Sequence, residues 1–367
     1  MNGKLYLYVR SLDGRLGGPL FSTLDLFRLL SGESDVVIVS RQRRGPATSS
    51  RLADLGVPER NFMTVSEFFR STEISTDDVL HLQHVFDPLV AVIGQFGRAK
   101  GLTVVLSPRG ALDDWSMSQK RLKKRVAERV LGRALWRRVD TIHCTAEREA
   151  SQVKGRLGSS VATAVVPNVV SHAWNLGLCS VEAQPGALYL SRVHEKKRPD
   201  LAIKGVASLL RERRLSHLTI AGSGDEQMLE DLKQLAIEER IENFVRFSGH
   251  IDEQGCLEAY QSHEIFLLPT SQENFGRVLF EAISFGLAVF VPDQVDTWPE
   301  LESLGATAIS QNELSIQREV SAHLERELPM RRLDVERRSK AARDFLRKES
   351  LIQGYESMYS DSLRRSV

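Results

Sequence analysis

Glu273 and Glu281 have the residue type and the spacing to hold sugar hydroxyls. They stand eight residues apart in the segment 269–286, PTSQENFGRVLFEAISFG, where Pro269 ends an apolar strand and a helix is predicted to start near Arg277. The free N–H groups and the positive dipole end at the amino terminus of a helix favour a phosphate. A carboxylate touching that phosphate would be repelled. We therefore expect Glu273 to accept hydrogen bonds from sugar hydroxyls beside it, and Glu281 to hold ribose hydroxyls.

The turn between these glutamates supplies further candidates. Asn274, Phe275 and Gly276 lead into the predicted helix, and Gly286 suits the left-handed residue just past its end. A turn glutamate and a solvated helix glutamate are the plain alternative. The Pro-Thr before the pair, the Phe-Gly inside it and the Ser-Phe-Gly after it favour a binding site over that alternative.

Arg192 and Lys197, in LSRVHEKKRPDLAI (190–203), are the candidate partners of a diphosphate. A predicted strand delivers Arg192, and Lys197 follows five residues later at the start of a helix. Two fixed cations can take up the charge that grows on a leaving diphosphate without a metal ion. A solvated basic loop is the alternative, and Lys196 can replace Lys197 in either case.

Four glycines are weaker candidates for contact with a ligand, because glycine removes the side chain where a backbone must approach closely. One pair lies in RLGGP (15–19), where Pro19 suits the first helical position. The other pair lies in AGSGDE (221–226), which lacks the third glycine of a phosphate-binding loop. Ordinary turns explain both pairs as well. The four candidates are Gly17, Gly18, Gly222 and Gly224.

Arg109, in SPRGAL (107–112), follows a predicted strand and is placed to meet an anionic donor or acceptor. A local ion pair with a carboxylate explains it as well. His81 and His84 end the preceding strand and share that edge of the sheet. The chain contains no Asp-X-Asp unit and no His-Glu-X-X-His, so we expect neither a metal ion nor a cofactor.

A strongly basic helix is predicted over about 117–139. Its apolar residues recur at helical spacing, and nine Lys and Arg side chains cover the rest of its surface. One interpretation is a solvated face over a buried stripe, and the other is docking on anionic lipid headgroups. We expect no nucleic-acid partner, since few aromatic residues interleave with the cations and the whole chain has a net charge of +1.

The composition of the 367-residue chain, 42% hydrophobic and 26% charged, is typical of a globular protein of about two domains. No apolar run reaches the roughly 20 residues of a membrane span. Lys4 and Arg10 in the first apolar stretch argue against a signal peptide, and three separated cysteines favour a reducing, cytoplasmic compartment. Residues 1–185 carry 25 Lys and Arg against 18 Asp and Glu, and residues 186–367 carry 24 against 30, which fits two domains with different partners.

Short apolar runs alternate with longer helical stretches, which predicts parallel sheets covered on both faces. The pattern restarts after residue 185, so we expect an α/β fold of two doubly wound, Rossmann-like domains. The predicted strands are 4–9, 35–40, 79–84, 102–107, 141–144 and 162–167 in the first domain, and 187–191, 218–222, 245–249, 264–269 and 287–292 in the second. Ligands of such sheets bind outside the carboxyl ends of the strands. Two domains facing each other would create a central cleft there.

The domain boundaries follow from an irregular stretch that ends in Gln-Pro-Gly. We place the first domain at 1–170, a linker at 171–185 and the second domain at 186–349. A last helix at about 350–367 has two alternatives, to continue the second domain or to pack back onto the first.

The motifs together resemble the retaining family 4 glycosyltransferases, which have the GT-B fold, over most of the chain. The Glu273-X7-Glu281 pattern is the most specific part, and Arg192 with Lys197 matches the paired cations of that family. LTIAGSGDE matches its glycine turn, and VPNVV (166–170) matches a strand end. SPRGAL resembles a Ser-Pro-Arg-Gly subgroup associated with bacterial surface polysaccharides.

The resemblance implies a nucleotide-diphosphate sugar bound mainly by the second domain and an acceptor bound by the first. By position, Glu273 would contact the donor sugar and Glu281 the ribose, while Arg192 and Lys197 would stabilise the diphosphate. Phe247 and Gly249 are implied near the nucleobase. The remaining implied contacts with the donor are Gly17, Gly18, Asn168, Gly222, Gly224, Asn274, Phe275 and Gly276.

Three departures from the family bear on specificity. Many relatives place a His that contacts the donor sugar where this chain has Arg109, so either Arg109 or His84 is expected to take that catalytic role. Arg198 replaces a glycine after the second cation, and DQVDTWPEL (293–301) replaces a Gly-Gly pair. These changes affect the choice of acceptor and sugar more than the reaction class.

The sequence therefore predicts a cytoplasmic, metal-independent, retaining transferase that moves a hexose-type sugar from a UDP- or GDP-sugar to a hydroxyl of a saccharide, expected to be lipid-linked. One alternative is a non-catalytic module that binds nucleotide sugars. Another keeps the fold but makes the protein an epimerase or hydrolase. Peripheral contact with the inner face of a membrane through the basic helix is a further alternative.

Overall fold

The chain forms two compact units in a computed structural model, which describes residues 3–13, 18–112, 117, 136, 138–174 and 177–366. The first unit consists of Met1–Val169 with Lys348–Val367, and the second of Val170–Arg347. The segment 171–185, expected as a linker, lies inside the second unit. Its 3-10 turn Ser171–Trp174 is fixed there, since the Trp174 indole donates a 2.8 Å hydrogen bond to the carbonyl oxygen of Leu346.

The first unit is built on one parallel sheet. Its strands are β1 Leu5–Val9, β2 Val36–Ser40, β3 Phe62–Thr64, β4 Val79–Leu82, β5 Thr103–Leu106, β6 Thr141–Cys144 and β7 Thr163–Val165. They pair in the order β3-β2-β1-β4-β5-β6-β7. Every residue of β1, β2, β4, β5 and β6 is buried, as expected for strands covered on both faces.

Local signals explain where the helices of the first unit begin. The helices described before the second unit are α1 Gly18–Leu30, α2 Pro46–Asp54, α3 Val65–Arg70, α4 Pro88–Ala99 and α5 Glu147–Leu157. Asp87 caps α4 by accepting a 3.1 Å hydrogen bond from the backbone N–H of Leu89, and Pro88 occupies the first turn. Thr64 and Glu67 form a capping box at the start of α3.

The second unit repeats the architecture with six parallel strands. They are β8 Gly186–Leu190, β9 His217–Ala221, β10 Val245–Gly249, β11 Ile265–Leu267, β12 Ala288–Val291 and β13 Thr307–Ala308. The sheet order is β10-β9-β8-β11-β12-β13. Among the described strands, the sequence did not predict β3 and β13. Each lies at one edge of its sheet, and they are only three and two residues long.

Seven helices described in the second unit alternate with or follow these strands. They are α6 Pro199–Arg211, α7 Glu226–Glu238, α8 Glu253–Ser262, α9 Arg277–Ser284, α10 Trp298–Ser303, α11 Glu313–Leu324 and α12 Leu328–Phe345. Helix α9 begins at the residue expected from the sequence, and Gly286 beyond its end has the predicted left-handed conformation, with φ 86°. The fold is therefore α/β with two Rossmann-like halves.

The last helix, predicted at about 350–367, is a separate element that begins after α12. Helix α12 ends at Phe345, and a last helix, α13 Lys348–Ser366, belongs to the first unit. Tyr355 and Tyr359 of α13 are buried there, and the Ser362 hydroxyl donates a 2.7 Å hydrogen bond to the Thr141 hydroxyl at the start of β6. This helix is thus an integral part of the first unit.

Each sheet has one point at which its order of growth reverses, between β1 and β4 in the first unit and between β8 and β11 in the second. The loops that follow the two strands diverge there and leave a crevice for a ligand. The loops after β8 and β11 contain Arg192, Lys197 and Glu273, and the segment after β4 contains His84.

None of the helices described in the structure is long and apolar enough to span a membrane.

Candidate functional site

The loops after β8 and β11 bring Lys197 and Glu273 into contact. The Lys197 ammonium group binds the Glu273 carboxylate, although 76 residues separate them in the sequence. Both side chains are mostly buried but reach the surface, with 14% and 20% of their areas exposed. Lys197 lies in a 3-10 turn, and α6 begins only after Arg198, rather than at Lys197 as the sequence indicated.

Backbone contacts fix the spacing of these two loops. The carbonyl oxygen of Lys196 accepts hydrogen bonds from the Ser271 N–H at 2.8 Å and from the Thr270 hydroxyl at 3.1 Å. Thr270 is fully buried. The residue before the cation is therefore tied to the segment that leads to the carboxylate, so Lys197 and Glu273 are positioned by main-chain geometry.

The loop that departs from the resembled family supports the turn after Glu273. Asp296 accepts a 3.1 Å hydrogen bond from the Asn274 side chain and donates its backbone N–H to the carbonyl oxygen of Glu273 at 3.0 Å. The Thr297 hydroxyl donates to the carbonyl oxygen of Phe275 at 2.9 Å. Asp296 and Thr297 are both buried, and their spacing in the sequence carried no signal for this role.

Phe275 and Gly276 form the turn into α9, and their predicted contact with a ligand stays a prediction. The buried Phe275 ring stacks on Phe280 with a centroid distance of 4.5 Å, so the ring belongs to the core. Gly276 has φ 68°, and a Cβ there would lie 2.6 Å from Cδ1 of Leu279. Among the described residues, no side chain caps the first turn of α9. That turn retains the backbone N–H groups that bind phosphate in other helices.

Glu281 occupies a separate, buried network on α9. Its Oε1 accepts a 2.7 Å hydrogen bond from Arg277 Nε, and its Oε2 accepts one of 2.7 Å from the Tyr260 hydroxyl. Burial alone would raise the pKa of Glu281, but Arg277, His172 and Tyr260 outweigh it and lower the pKa to about 2. The group that the sequence predicted to hold ribose is thus ionised and held in one orientation.

His172 completes this network and was missed in the sequence, where it falls in the expected linker. Its Nε2 lies 3.1 Å from Glu253 Oε1, and its Nδ1 lies 3.3 Å from Glu281 Oε1. Burial opposes protonation of the imidazole, but Glu281 and then Glu253 prevail and raise the pKa of His172. The charged form therefore bridges two carboxylates.

Gly222 and Gly224 allow two backbone segments to meet closely. A Cβ on Gly222 would lie 1.9 Å from the carbonyl oxygen of Ser191, and one on Gly224 would lie 2.7 Å from Cβ of Val193. The Val193 N–H also donates to the carbonyl oxygen of Ser223 at 2.9 Å. These glycines thus position the segment that carries the exposed Arg192. Their predicted contact with a ligand stays a prediction.

The predicted nucleobase contacts lie at the end of β10. Gly249 has φ 64°, and a Cβ there would have no described atom within 4 Å. Phe247 is partly buried against the core of the second unit. In the first unit Gly18 starts α1, is exposed and has the same open surroundings, whereas Gly17 lies outside the described residues.

Arg109 and Asn168 are brought together in the first unit. The Arg109 guanidinium group donates to the side-chain oxygen of Asn168 and, from Nε and Nη2, to Oε1 of Gln83 at 3.0 and 2.5 Å. Arg109 has φ 56°, which is unusual for a residue with a side chain. Asn168, implied as a donor contact, therefore lies in the first unit as a partner of Arg109.

Several buried side chains close to Arg109 are connected by hydrogen bonds. The Tyr359 hydroxyl lies 2.9 Å from His81 Nδ1, and the Ser107 hydroxyl lies 2.7 Å from His81 Nε2 and 2.8 Å from His143 Nδ1. The second nitrogen of His143 lies 2.8 Å from the carbonyl oxygen of Val166. Burial and then the Arg109 charge lower the pKa of His143 to about 3.

His84, the alternative to Arg109, is only partly exposed. Burial, followed by the positive charge of Arg109, lowers the pKa of His84. At neutral pH its imidazole is therefore uncharged and can donate or accept a hydrogen bond, but it cannot replace the permanent charge of Arg109.

Two further predictions concern a metal ion and the basic helix. Within the described part of the chain, no group of three His, Cys, Asp or Glu side chains is arranged to hold a metal ion. The helix predicted at 117–139 lies outside the described residues, apart from Met117, Trp136 and 138–139.

Two family sequence models match the chain. The one described as "Glycosyl transferases group 1" matches residues 180–332, and the one described as "Glycosyl transferase 4-like domain" matches residues 17–169. The first match falls within the second unit and the second within the first unit. Together they span most of the chain.

Curated relatives match over shorter stretches. The GtfA subunit of the UDP-N-acetylglucosamine–peptide N-acetylglucosaminyltransferase of Streptococcus pneumoniae is 30% identical over 97 residues, which are 26% of this chain and 18% of that protein. The D-inositol 3-phosphate glycosyltransferase of Frankia alni is 34% identical over 110 residues, 28% of this chain and 27% of that one. This chain therefore spans between 18% and 27% of the length of these relatives.

Solved structures match over nearly the whole chain. HepE of Anabaena in complex with UDP and glucose has a TM-score of 0.77 at 13% identity and covers 98% of this chain and 100% of its own. Sucrose-phosphate synthase of Thermosynechococcus elongatus has a TM-score of 0.72 at 14% identity and covers 98% of each chain. At such identities the likeness shows the fold. With both halves also matched by glycosyltransferase sequence models, the chain belongs to the GT-B glycosyltransferases.

Proposed function

We propose that this protein is a retaining, metal-independent glycosyltransferase of the cytoplasm. It moves a hexose-type sugar from a UDP- or GDP-sugar to a hydroxyl of a saccharide acceptor. We further propose that the acceptor is lipid-linked and that the product enters a bacterial surface polysaccharide, as the Ser-Pro-Arg-Gly segment at 107–110 suggests. The observation that carries the proposal is the contact of Lys197 with Glu273 beside the crevice between β8 and β11.

The positive charges at this crevice suit a leaving diphosphate. Lys197 and Arg192 lie in the loop after β8, and the uncapped first turn of α9 follows β11. Fixed cations and helix N–H groups stabilise charge that develops in a transition state. When a donor binds, the diphosphate would share Lys197 with Glu273, whose carboxylate would also accept hydrogen bonds from the sugar.

The proposed step breaks the bond from the anomeric carbon to the diphosphate oxygen, and the electron pair leaves with the diphosphate. The acceptor hydroxyl oxygen bonds to the anomeric carbon on the same face, and its proton passes to the leaving phosphate oxygen. Retention follows from attack on that face. Glu273, paired with Lys197, would serve as a hydrogen-bond acceptor rather than as a covalent nucleophile.

Ligand complexes of similar proteins support a UDP-sugar as the donor. HepE is described with UDP and glucose, and pneumococcal GtfA with UDP and N-acetylglucosamine. These ligands belong to those proteins. For this chain they rank UDP-sugars first among the donors to be tested.

Thermal melting against UDP, GDP, ADP, CMP and their common sugar conjugates tests the proposal. A ligand that binds the folded state raises the melting temperature by mass action. We expect a shift for UDP or GDP compounds that is lost in Arg192→Gln and Glu281→Ala. It should persist in Arg240→Gln, which alters an exposed arginine at another position of the second unit.

Acceptor assays then separate the alternatives. Transfer of labelled sugar to a lipid-linked saccharide pool supports the proposed enzyme, whereas release of free sugar or a changed sugar without acceptor would indicate a hydrolase or an epimerase. Donor binding with no turnover in any pool would favour a non-catalytic module. Membrane contact through the basic helix is tested by liposome co-sedimentation of the chain and of Lys123→Glu with Lys124→Glu.

A further inference from the structure

Arg109 stands out because its charge has no carboxylate partner among the described residues. It follows β5 in the first unit and remains partly exposed. Its guanidinium group donates to Gln83 Oε1 and Asn168 Oδ1, which are both oxygens of neutral amides. Partial burial of a charged group raises the free energy of the folded state unless a counter-charge or a ligand compensates the charge.

The hydrogen-bond count leaves a pair of donors on this side chain. An arginine has five N–H groups, and the contacts with Gln83 and Asn168 use Nε–H, one on Nη1 and one on Nη2. One N–H on Nη1 and one on Nη2 thus have no acceptor within the described ranges. Carboxylate and phosphate oxygens accept guanidinium N–H groups in charge-assisted hydrogen bonds, which are bidentate where two of these groups are adjacent.

Glu149, whose negative charge acts on Arg109, already accepts other hydrogen bonds. Both oxygens of Glu149 are occupied, since Oε1 accepts from the Gly110 N–H at 2.9 Å and Oε2 accepts from the N–H and the hydroxyl of Thr145 at 2.7 and 3.0 Å. Glu149 therefore fixes the turn that holds Arg109, and its field offsets the charge from a distance. It does not use the remaining N–H groups of Arg109.

The imidazoles around Arg109 add no second positive charge. Burial is the main cause that lowers the pKa of His81, His84 and His143, and the Arg109 charge adds to it in each case. All three rings are neutral at physiological pH, so the guanidinium group is the fixed positive charge among these side chains.

A second donor near Arg109 also has no acceptor. The Nε2 atom of Gln83 is buried and has no hydrogen-bond partner within the described part of the chain. Its amide orientation is set by Arg109, because Oε1 accepts two hydrogen bonds from the guanidinium group. A buried donor without an acceptor, next to a cation without an ion-pair partner among the described residues, indicates a missing acceptor-rich group.

We infer that Arg109, with Gln83 and Asn168, forms a receptor for an oxyanion, a carboxylate or phosphate carried by one of the two saccharide substrates. The inference rests on the proposed function and narrows its substrates from hexose-type sugars and saccharides in general to those that carry an acidic or phosphate group. The anion is on the acceptor or on the sugar of the donor, and Arg109 selects it by a bidentate contact.

Two binding arms at constant ionic strength test the inference on the full chain. The acceptor arm compares methyl β-D-glucuronide and inorganic phosphate with methyl β-D-glucoside, in the absence of nucleotide. The donor arm compares UDP-glucuronate with UDP-glucose. The variants are Arg109→Gln, Arg109→Lys and, as a matched control, Arg240→Gln, because Arg240 also has a positive φ of 57° and is exposed.

We expect the native chain to bind the acidic probe about tenfold tighter than its neutral counterpart in one arm, which identifies the source of the anion. Arg109→Gln should abolish that preference, Arg109→Lys should keep only part of it because lysine lacks the planar fork, and Arg240→Gln should keep all of it. Equal affinity for acidic and neutral probes in both arms would overturn the inference, even if Arg109→Gln does not fold.

The failure of the proposed function is distinguishable from the failure of this inference. A chain that binds neither a UDP-sugar nor a GDP-sugar fails the donor proposal, while the acceptor arm still reports on Arg109. If the chain binds both UDP-sugars with equal affinity, and binds the glucuronide and phosphate no more tightly than the glucoside, the proposed function stands and the oxyanion receptor is refuted.

Discussion

The backbone N–H of Asp296 donates a 3.0 Å hydrogen bond to the carbonyl oxygen of Glu273. This contact joins the loop after β12 to the turn after β11, and the Asp296 side chain adds a second link through Asn274. The segment 293–301, where this chain departs from the resembled family, therefore supports the turn that carries the candidate sugar-binding carboxylate. Its divergence has a structural role.

Asp296→Ala should reduce sugar transfer about tenfold or more, because small displacements of a positioning group have large effects on rate. The backbone contact with Glu273 survives the change, and the lost hydrogen bond to Asn274 should cost about 1 kcal/mol in the free energy of unfolding. Steady-state kinetics and urea denaturation measure the two effects. Asp293→Ala, at an exposed position of the same loop, is the control, and equal rates for both variants would refute the positioning role.

Glu273→Ala should abolish transfer and leave the fold intact. The pair with Lys197 reaches solvent, so its loss should change the free energy of unfolding by no more than about 1 kcal/mol. Rates of transfer and melting curves test this, with Glu195→Ala in the neighbouring exposed loop as control. Transfer by Glu273→Ala at a near-native rate would remove Glu273 from the active site.

Stability should fall as pH rises above neutrality because of His172. Its pKa is raised in the folded state, so its contribution is fully present below the unfolded value of about 6.5 and is lost as pH rises through the folded pKa. Melting temperatures from pH 6 to 9 should show this loss, and His172→Gln should flatten the profile in that range. An unchanged profile in the variant would contradict the bridge between Glu281 and Glu253.

Glu281 should be the main cause of the loss of stability at acid pH. Its folded pKa of about 2 lies below the unfolded value of about 4.3, so the stabilisation is present above the unfolded value and is lost as pH falls toward 2. Glu281→Gln should remove much of this acid dependence. A variant that loses as much stability between pH 5 and 3 as the native chain would assign the effect to other carboxyl groups.

Three glycine variants should distinguish two causes of lost stability, the steric crowding of a new Cβ and a positive φ. Gly222→Ala should lose more than about 3 kcal/mol in the free energy of unfolding, since its Cβ would lie 1.9 Å from the carbonyl oxygen of Ser191. Gly249→Ala has open surroundings and should lose only about 1–2 kcal/mol, from its positive φ. Gly18→Ala should be nearly neutral. Urea denaturation ranks them, and similar losses for Gly222→Ala and Gly249→Ala would contradict the close approach.

Periodicity was sufficient to predict most of the fold. Fully buried strands such as β1 and β12 contain continuous apolar runs, because helices cover both faces of a parallel sheet. The edge strands β3 and β13 lack such a run, since three and two residues need little burial and take their conformation from the strand beside them. Tertiary pairing decides these elements, and a single sequence does not display it.

The candidate site was predictable where its chemistry lies within one segment. Glu273 and Glu281 share a motif, and the sheet order explains why Lys197 meets Glu273. His172 and Tyr260 were not predictable, because they reach Glu281 from a 3-10 turn and from another helix, at separations that no local pattern encodes. The amide partners of Arg109 are equally distant, as Asn168 follows it by 59 residues.

The place of α13 in the first unit bears on how the protein is made. In the sequence, the second unit is inserted between two segments of the first unit, after Val169 and before Lys348. During translation, residues 3–169 are therefore synthesised before the whole second unit. Tyr355 and Tyr359, which contact His143 and His81, are synthesised only after it. The second unit can complete its core first, so nascent chains should acquire protease resistance from the middle outward.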